Sequence, residues 1–333
     1  MPIYQHNDIE ATRLLVSNEH SRWYKDGIDV DAEGAFAVQR LQRRLFEPAI
    51  PDPDFRMDRD DALFAMGSCF ARGIENAMVG AGFDVRSAAE EFDDFELRVA
   101  NVTGRGFMNK YSTHSILAEF EWALDPESTF PKEILVEIGD DQWVDPSTNP
   151  TLTWVGHDAT LDRRTTITEV VRRVTDCRVV VVTLGLVELW FDHEAGVHLN
   201  MTPTSTMRER HPSRYRFEVS NFTENRANME RVVDLLNRFG HDDVKVVVTT
   251  SPVPLLATFT DRDVVTANTF SKATLRAVAE DLAAAHPNVH YFPSYEIVMN
   301  SDREVAWTED GRHVEPEVVQ HIMATFKHHF VAG

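Results

Sequence analysis

An α/β fold, with a parallel sheet covered by helices on both faces, is what this sequence predicts, and three observations predict it. Residues 177–184 hold Val179, Val180, Val181 and Val182 in an unbroken β-branched run closed by Gly185, the pattern of a central strand buried on both faces. A second run, Val246-Val247-Val248 within residues 244–250, repeats the pattern after a helical segment. Strand-like and helix-like stretches alternate elsewhere at spacings that demand crossover connections, which make the strands parallel.

The first sixty residues show no clear strand. Residues 35–46 place Phe36, Val38, Leu41 and Leu45 at helical spacing between Arg40, Arg43 and Arg44, predicting a short amphipathic helix. Pro48, Pro51 and Pro53 then block regular structure and predict an extended arm. Residues 1–60 are therefore expected to be an N-terminal extension packed on the core, with residues 61–333 as the main domain. Within it the patterns predict strands at 62–66 and 83–87 on either side of a helix from Cys69 to about Gly80. A loop holding Gly104 and Gly106 is expected at 100–109, followed by a helix over 112–124 with Ile116, Leu117, Phe120 and Leu124 on one face. Residues 125–160 and 192–220 read as irregular insertions without cores of their own. Helices at 165–174, 225–240, 268–286 and 315–330, and a short strand at 289–292, complete the alternation.

Composition narrows the function classes. The net charge of −21, from 54 acidic against 33 basic residues, argues against nucleic acid or an anionic membrane as partner, because phosphate binding needs clustered cations. No apolar run reaches the ~18 residues of a membrane span, and the opening residues carry Asp8 and Glu10 rather than a basic, apolar leader. The two cysteines, Cys69 and Cys177, fall in different elements, so a reducing cytoplasmic setting is expected instead of a disulfide framework.

In parallel sheets functional groups gather at the carboxyl ends of the strands. Four such ends stand out: Gly67-Ser68-Cys69, Gly185-Leu186-Val187-Glu188, Ser251-Pro252-Val253-Pro254 and Pro293-Ser294-Tyr295-Glu296. The first joins strand to helix through a glycine, so the free N–H groups of the helix's first turn point at whatever anion forms beside Ser68 or Cys69. The same residues also suit a plain helix start, with Ser68 as N-cap and Cys69 as a small buried hydrophobe. A base is available at Asp310-Gly311-Arg312-His313, where an acid three residues before a histidine can hold one imidazole nitrogen while the other faces a nucleophile. With fourteen histidines in the chain, a surface role for His313 is the competing reading. His193 and His198 with Asp192 fit no metal-ligand spacing and read as a solvated loop; no metal is expected. The acidic run Glu90 to Asp94 reads as a solvated face, and Trp122, Trp143, Trp154 and Trp190 as packing residues before a sugar platform.

Gly67-Ser68-Cys69-Phe70-Ala71 resembles the name-giving motif of the GSCFA family, related to the SGNH (GDSL-type) hydrolases. Thr183 to Trp190, Ser251 to Leu255, Asn268 to Lys272, Phe292 to Ile297 and Asp310 to His313 resemble further blocks of that family in its order, so the resemblance covers about residues 61–330. It implies a three-layer α/β/α sandwich with a central, mostly parallel sheet and loop insertions. It also implies an acyl hydrolase or acyltransferase working through an acyl-enzyme on a small O-acylated, possibly carbohydrate, substrate without a cofactor. Asp310 and His313 then match the orienting acid and general base. Laid on Gly-Asp-Ser-Leu, the motif puts Cys69 at the nucleophile position, with Ser68 as the alternative. The oxyanion-hole asparagine of the Gly-x-Asn-Asp block is replaced by Val187 with Glu188 after it. Oxyanion or substrate contacts then fall to Gly67, Phe70, Gly185 and Glu188, with Asn109 or the loop glycines Gly104 and Gly106 as substitute donors. Glu188 has three readings: a ligand for a substrate hydroxyl, an ion-pair partner of Arg72 or Lys272, or a strand terminator. A ligand-binding protein without turnover, or a thiol-dependent acyltransferase of natural-product or peptide metabolism, are the rival functions.

Overall fold

The computed structural model describes residues 2–98 and 104–332, so part of the loop predicted at 100–109 lies outside the described residues. In chain order its first half comprises helices α1 (Asp8–Ser17) and α2 (Ala37–Arg40), strand β1 (Ala62–Gly67), helix α3 (Cys69–Gly80), strand β2 (Asp84–Val85), helix α4 (Thr113–Leu124), strands β3 (Val136–Gly139) and β4 (Gln142–Val144), and helix α5 (His157–Arg172). Then come strands β5 (Val179–Leu184), β6 (Glu188–Asp192) and β7 (Val197–Leu199), helix α6 (Ser205–Arg210), strand β8 (Tyr215–Val219), helix α7 (Phe222–Phe239), strand β9 (Lys245–Thr250), helix α8 (Val264–Ala285) and strand β10 (Val289–Tyr291). Helices α9 (Ser294–Asn300), α10 (Arg303–Ala306) and α11 (Pro316–Phe330) end the chain. Two compact units result: Met57–Ser251 with Leu255–Tyr291, and Met1–Arg56 with Pro252–Pro254 and Phe292–Gly333.

The larger unit is built on a five-stranded parallel sheet in the order β10-β9-β5-β1-β2. The valine run takes the central strand, as its composition predicts: every residue of β5 is buried. Phe64, Met66, Val180, Val182, Val246 and Val248 point to one face, where they join apolar residues of α4, α5, α7 and α8 in one core. Their alternates Leu63, Ala65, Val179 and Val181 are equally buried on the opposite face, where α3 packs on β1 and β5. Each such side chain contributes roughly 1.5–3 kcal/mol of burial, and helices on both faces make the predicted α/β/α sandwich. Among the described residues no helix is long and apolar enough to cross a membrane.

The insertions differ from expectation. Residues 125–160 and 192–220 share a second core, in which Ile134, Val136, Ile138 and Val144 meet Leu199, Met201 and Met207. Strands β6, β7 and β8 form an antiparallel sheet and β3–β4 a hairpin. Neither insertion carries enough apolar residues to close a core alone, which is why each reads as irregular by itself.

In the smaller unit Phe292, Phe326, Phe330 and Phe55 stack with ring centroids 5.1–6.1 Å apart. The helix predicted at 35–46 is only four residues long. Past Arg40 only turn-type bonds continue, from Gln42 N–H to Gln39 O (3.3 Å) and Arg43 N–H to Arg40 O (3.2 Å), and at Phe46 the N–H donates to Ser301 Oγ (2.9 Å) while the carbonyl bonds His321 Nε2 (3.2 Å). Helix α1, which periodicity did not predict, buries no residue and is started by Asn7, whose Oδ1 accepts from the Glu10 N–H (2.9 Å).

Candidate active site

Strand β1 turns into α3 at Gly67, whose φ of +126° and lack of a Cβ let the chain pass within touching distance of β5. A Cβ there would stand 2.2 Å from the Thr183 carbonyl oxygen. The next residue is fixed sideways. Ser68 donates its N–H to Thr183 O (3.1 Å), shares a 3.1 Å hydrogen bond with Thr183 Oγ1 and is 3% exposed. It occupies the N-cap position, yet its hydroxyl caps no N–H, so the side-chain cap expected from the sequence is not made. Cys69 is the first residue of α3, half-buried and in no disulfide. Phe70 beside it is buried.

Beneath this turn lies a charge. Arg72 is 3% exposed, donates to the Ala65 carbonyl (2.9 Å) and pairs with Glu75, which also binds Arg105. Burial pushes the Arg72 guanidinium down, whereas Glu75 and, more weakly, a Cys69 thiolate favour its charged form. That coupling is reciprocal: Arg72 and the α3 N-terminus both favour the Cys69 thiolate.

Asn109 and Lys110 run alongside the turn. Asn109 forms a parallel bridge with Gly67, and Lys110 donates its N–H to Gly67 O (2.7 Å). Asn109 is 5% exposed, and its Oδ1 hydrogen-bonds nothing among the described residues, an uncommon state for a buried amide. Asn200 secures this segment from both sides, through Tyr111 N–H to Oδ1 (3.0 Å) and its Nδ2 to Asn109 O (2.7 Å). Behind it Lys110 Nζ donates to Glu119 Oε1 (2.5 Å), and Arg164 grips both carboxylate oxygens (2.8 and 2.7 Å). Burial would raise Glu119, but Arg164 and Lys110 bring it down to about 2.

At the neighbouring strand end a Cβ on Gly185 would meet the Tyr111 carbonyl oxygen at 2.5 Å, and its own carbonyl accepts from Lys272 Nζ (2.6 Å). Glu188 does not terminate β5, which stops at Leu184; it opens β6. Arg72 pairs with Glu75, while Glu188 accepts from the Thr258 hydroxyl (2.6 Å) and the Phe259 N–H (3.1 Å). Of the loop glycines, Gly104 is exposed, and Gly106 is buried with its carbonyl accepting from Asn149 Nδ2 (3.2 Å).

In the smaller unit Asp310 and His313 are held together by a tight loop. Asp310 Oδ1 accepts from the Thr308 hydroxyl (2.7 Å) and the N–H groups of Arg312 (2.8 Å) and His313 (2.9 Å), while Oδ2 meets His313 Nδ1 at 2.5 Å. The His313 N–H first, then the Thr308 hydroxyl, hold this carboxyl well below the usual carboxylate range. The ionised Asp310 accepts the proton of Nδ1, and Nε2 then accepts from Arg312 Nη1 (3.2 Å). His313 is exposed, with 57% of its side chain accessible.

Gly67, Ser68, Cys69, Phe70, Asn109 and Gly185 thus gather at the carboxyl ends of β1 and β5 in the larger unit, Glu188 starts the sheet that leaves that edge, and Asp310 and His313 form a pair within the smaller one. Thr183, Asn200, Glu119 and Arg164 were missed by sequence reasoning, since each is a single polar residue inside an otherwise ordinary element. Asp192 is spent on Arg214 (2.7–3.0 Å) and His198 bonds Glu218 (2.9 Å). Trp122, Trp143 and Trp154 pack on Phe130, His157 and Arg98 respectively.

No curated protein matches the chain. Three solved structures are similar to it: a candidate acylhydrolase from Bacteroides fragilis (11% identity, 84% of this chain and 89% of that one, TM-score 0.38), a GDSL-like lipase from Bacteroides thetaiotaomicron (11%, 80% and 86%, 0.36) and a family 3 carbohydrate esterase from Clostridium thermocellum (10%, 81% and 94%, 0.33). The GSCFA family profile matches residues 62–326, from the first residue of β1 into α11, and on that match the chain belongs to the GSCFA family.

Proposed function

We propose that this protein is an esterase-type acyl hydrolase or acyltransferase that works through a thioester on Cys69. The observation that carries the reading is the contrast at the turn: Cys69 opens α3 half-buried above the Arg72 charge, whereas Ser68 is buried and bonded to Thr183. A thiol at a helix N-terminus beside a cation is the more ready nucleophile. The motif resemblance assigns Asp310 and His313 to it as orienting acid and base; the Asp310–Nδ1 bond makes Nε2 the basic nitrogen, which Arg312 Nη1 has to release before it takes a proton.

In this mechanism His313 Nε2 takes the Cys69 thiol proton and the thiolate sulfur attacks the ester carbonyl carbon. The tetrahedral oxyanion accepts from the N–H groups of Cys69 and Phe70 at the start of α3, with the Asn109 amide as the additional donor. Collapse breaks the carbon–oxygen bond, and the imidazolium returns its proton to the departing alkoxide. Water, or a hydroxyl of an acceptor, then attacks the thioester with His313 as base, releasing acid or new ester and restoring the thiol. Gly185 lets the Tyr111 backbone close against the neighbouring strand end, and Glu188 anchors the loop after β9.

Intact-mass spectrometry after incubation with p-nitrophenyl acetate tests this. An acetyl adduct is expected on the wild type and on Ser68→Ala, and none on Cys69→Ala. Loss of the adduct only in Ser68→Ala refutes the thiol, and no adduct on any protein refutes the acyl-enzyme.

A further inference from the structure

From Gly185 the chain runs directly into β6, whose half-buried Trp190 packs in part on the second core. Glu188 and Trp190 share one face of β6, and the pairings Glu188↔Val219 and Trp190↔Phe217 place Val219 and Phe217 of β8 on the same side. The loop after β9 lies on that face. The Phe259 ring centroid is 5.2 Å from that of Trp190 and 5.6 Å from that of Phe217, which are 5.4 Å from each other.

Polar groups on this surface are engaged in holding the loop. Both carboxylate oxygens of Glu188 are occupied by Thr258 Oγ1 and the Phe259 N–H, and the Thr258 and Thr260 hydroxyls bond each other at 2.8 Å. What remains outward around the rings is apolar: Phe259 is 51% exposed and Val219 39%. Single exposed hydrophobes are ordinary, but rings in mutual contact on a loop fixed by a carboxylate form a built surface. Along the chain that surface is close to the candidate site. Glu188 is three residues past Gly185, within ~10 Å along the chain, and Gly185 follows Thr183, the register partner of Gly67, by two.

We propose that the face formed by Trp190, Phe217, Val219 and Phe259 receives the hydrocarbon tail of the acyl group, so that the substrate is a medium- or long-chain acyl ester. The proposal rests on the acyl-enzyme reading above. A short or hydroxylated acyl group is disfavoured because it asks for unspent hydrogen-bonding groups, and here those groups tie down the loop. The charge of −21 likewise opposes an anionic lipid surface as the occupant.

Calorimetric titration of butyrate, octanoate and dodecanoate into Cys69→Ala measures the tail site without chemistry, and hydrolysis of the matching p-nitrophenyl esters by the Cys69 protein measures it with chemistry. Affinity and kcat/KM should both rise roughly two- to fourfold per methylene. Val219→Ser with Phe259→Ser should flatten both series, with the melting midpoint of the variant measured alongside to show that the fold is kept. Hydrolysis indifferent to chain length, or a series unchanged in the double variant, overturns the proposal. So does a wild-type dimer that the double variant converts to monomer, which would make the patch an interface between copies. Chain-length-dependent binding with no ester turned over separates the cases: the tail site stands and the hydrolase reading falls.

Discussion

Replacing Gly67 with alanine tests the turn most directly. The backbone at φ +126° is a region where an L side chain costs ~1–3 kcal/mol. The added Cβ would also stand 2.2 Å from the Thr183 carbonyl oxygen, 2.6 Å from its hydroxyl and 2.8 Å from its nitrogen. Two of these are backbone atoms of the central strand, paired on both sides, so the neighbour cannot swing away. Overpacking against such a wall adds ~1–3 kcal/mol. The expected loss is therefore about 2–6 kcal/mol, a large share of the ~5–15 kcal/mol that holds a typical domain. Urea denaturation followed by circular dichroism reads it. Thr183→Ala alone removes the hydroxyl contact and the Ser68 bond and should cost ~1 kcal/mol. Combined with Gly67→Ala it should rescue little, because the carbonyl oxygen is the nearest atom and remains. A Gly67→Ala protein within ~1 kcal/mol of wild type, or full recovery in the double variant, refutes the reasoning.

Glu119→Gln should cost ~3–5 kcal/mol at neutral pH by leaving Lys110 and Arg164 buried without their counter-charge. Because the folded protein holds Glu119 at about 2, below its ordinary 4.5, its contribution is present above that ordinary value and disappears as pH falls toward 2; denaturation midpoints of Glu119→Gln should fall less steeply across that window, and an equal slope counts against the ion network. Iodoacetamide under native conditions should alkylate Cys69 and spare Cys177, which is 0% exposed with its thiol pushed up to about 12 by burial; peptide mapping that finds both modified refutes this. Asp310→Asn should lower kcat/KM for p-nitrophenyl acetate by roughly 10²–10⁴ without shifting the melting midpoint, since the loop is exposed; unchanged turnover removes the pair from the mechanism.

Much of the fold is legible because its strongest elements are locally decided. The valines of β5 and β9 can sit only in the middle of a sheet, and Gly67 and Gly185 close strands whose ends approach other backbone. The insertions are not legible for the opposite reason. The core that joins Ile134, Val136 and Val144 to Leu199, Met201 and Met207 is divided between segments more than fifty residues apart, so neither half shows a period of its own. The helix at 35–46 fails similarly: its apolar spacing is real, but after Arg40 the chain passes into three-residue turns and by Phe46 its backbone is bonded to Ser301 and His321, partners 255 and 275 residues away.

The candidate site divides along the same line. Spacing brought Asp310 and His313 to notice, and their pairing needs only three residues of chain, whereas the tautomer it selects depends on Thr308 and two backbone N–H groups that fix the carboxylate first. The different surroundings of Cys69 and Ser68 do not show in adjacent letters. Thr183, which bonds Ser68, belongs to another strand and meets it only because β1 and β5 pair in a register that sets Gly67 beside it. Glu188 shows how far a side chain's role can lie from its spacing. A substrate hydroxyl, an ion pair with Arg72 or Lys272, and a strand end were all open to a carboxylate at this position, and its hydrogen bonds within the protein go instead to Thr258 and Phe259. Its place at the start of β6 thus fixes the loop that carries Phe259 against Trp190 and Phe217, a role that depends on a segment seventy residues away and leaves no mark in the spacing around Glu188.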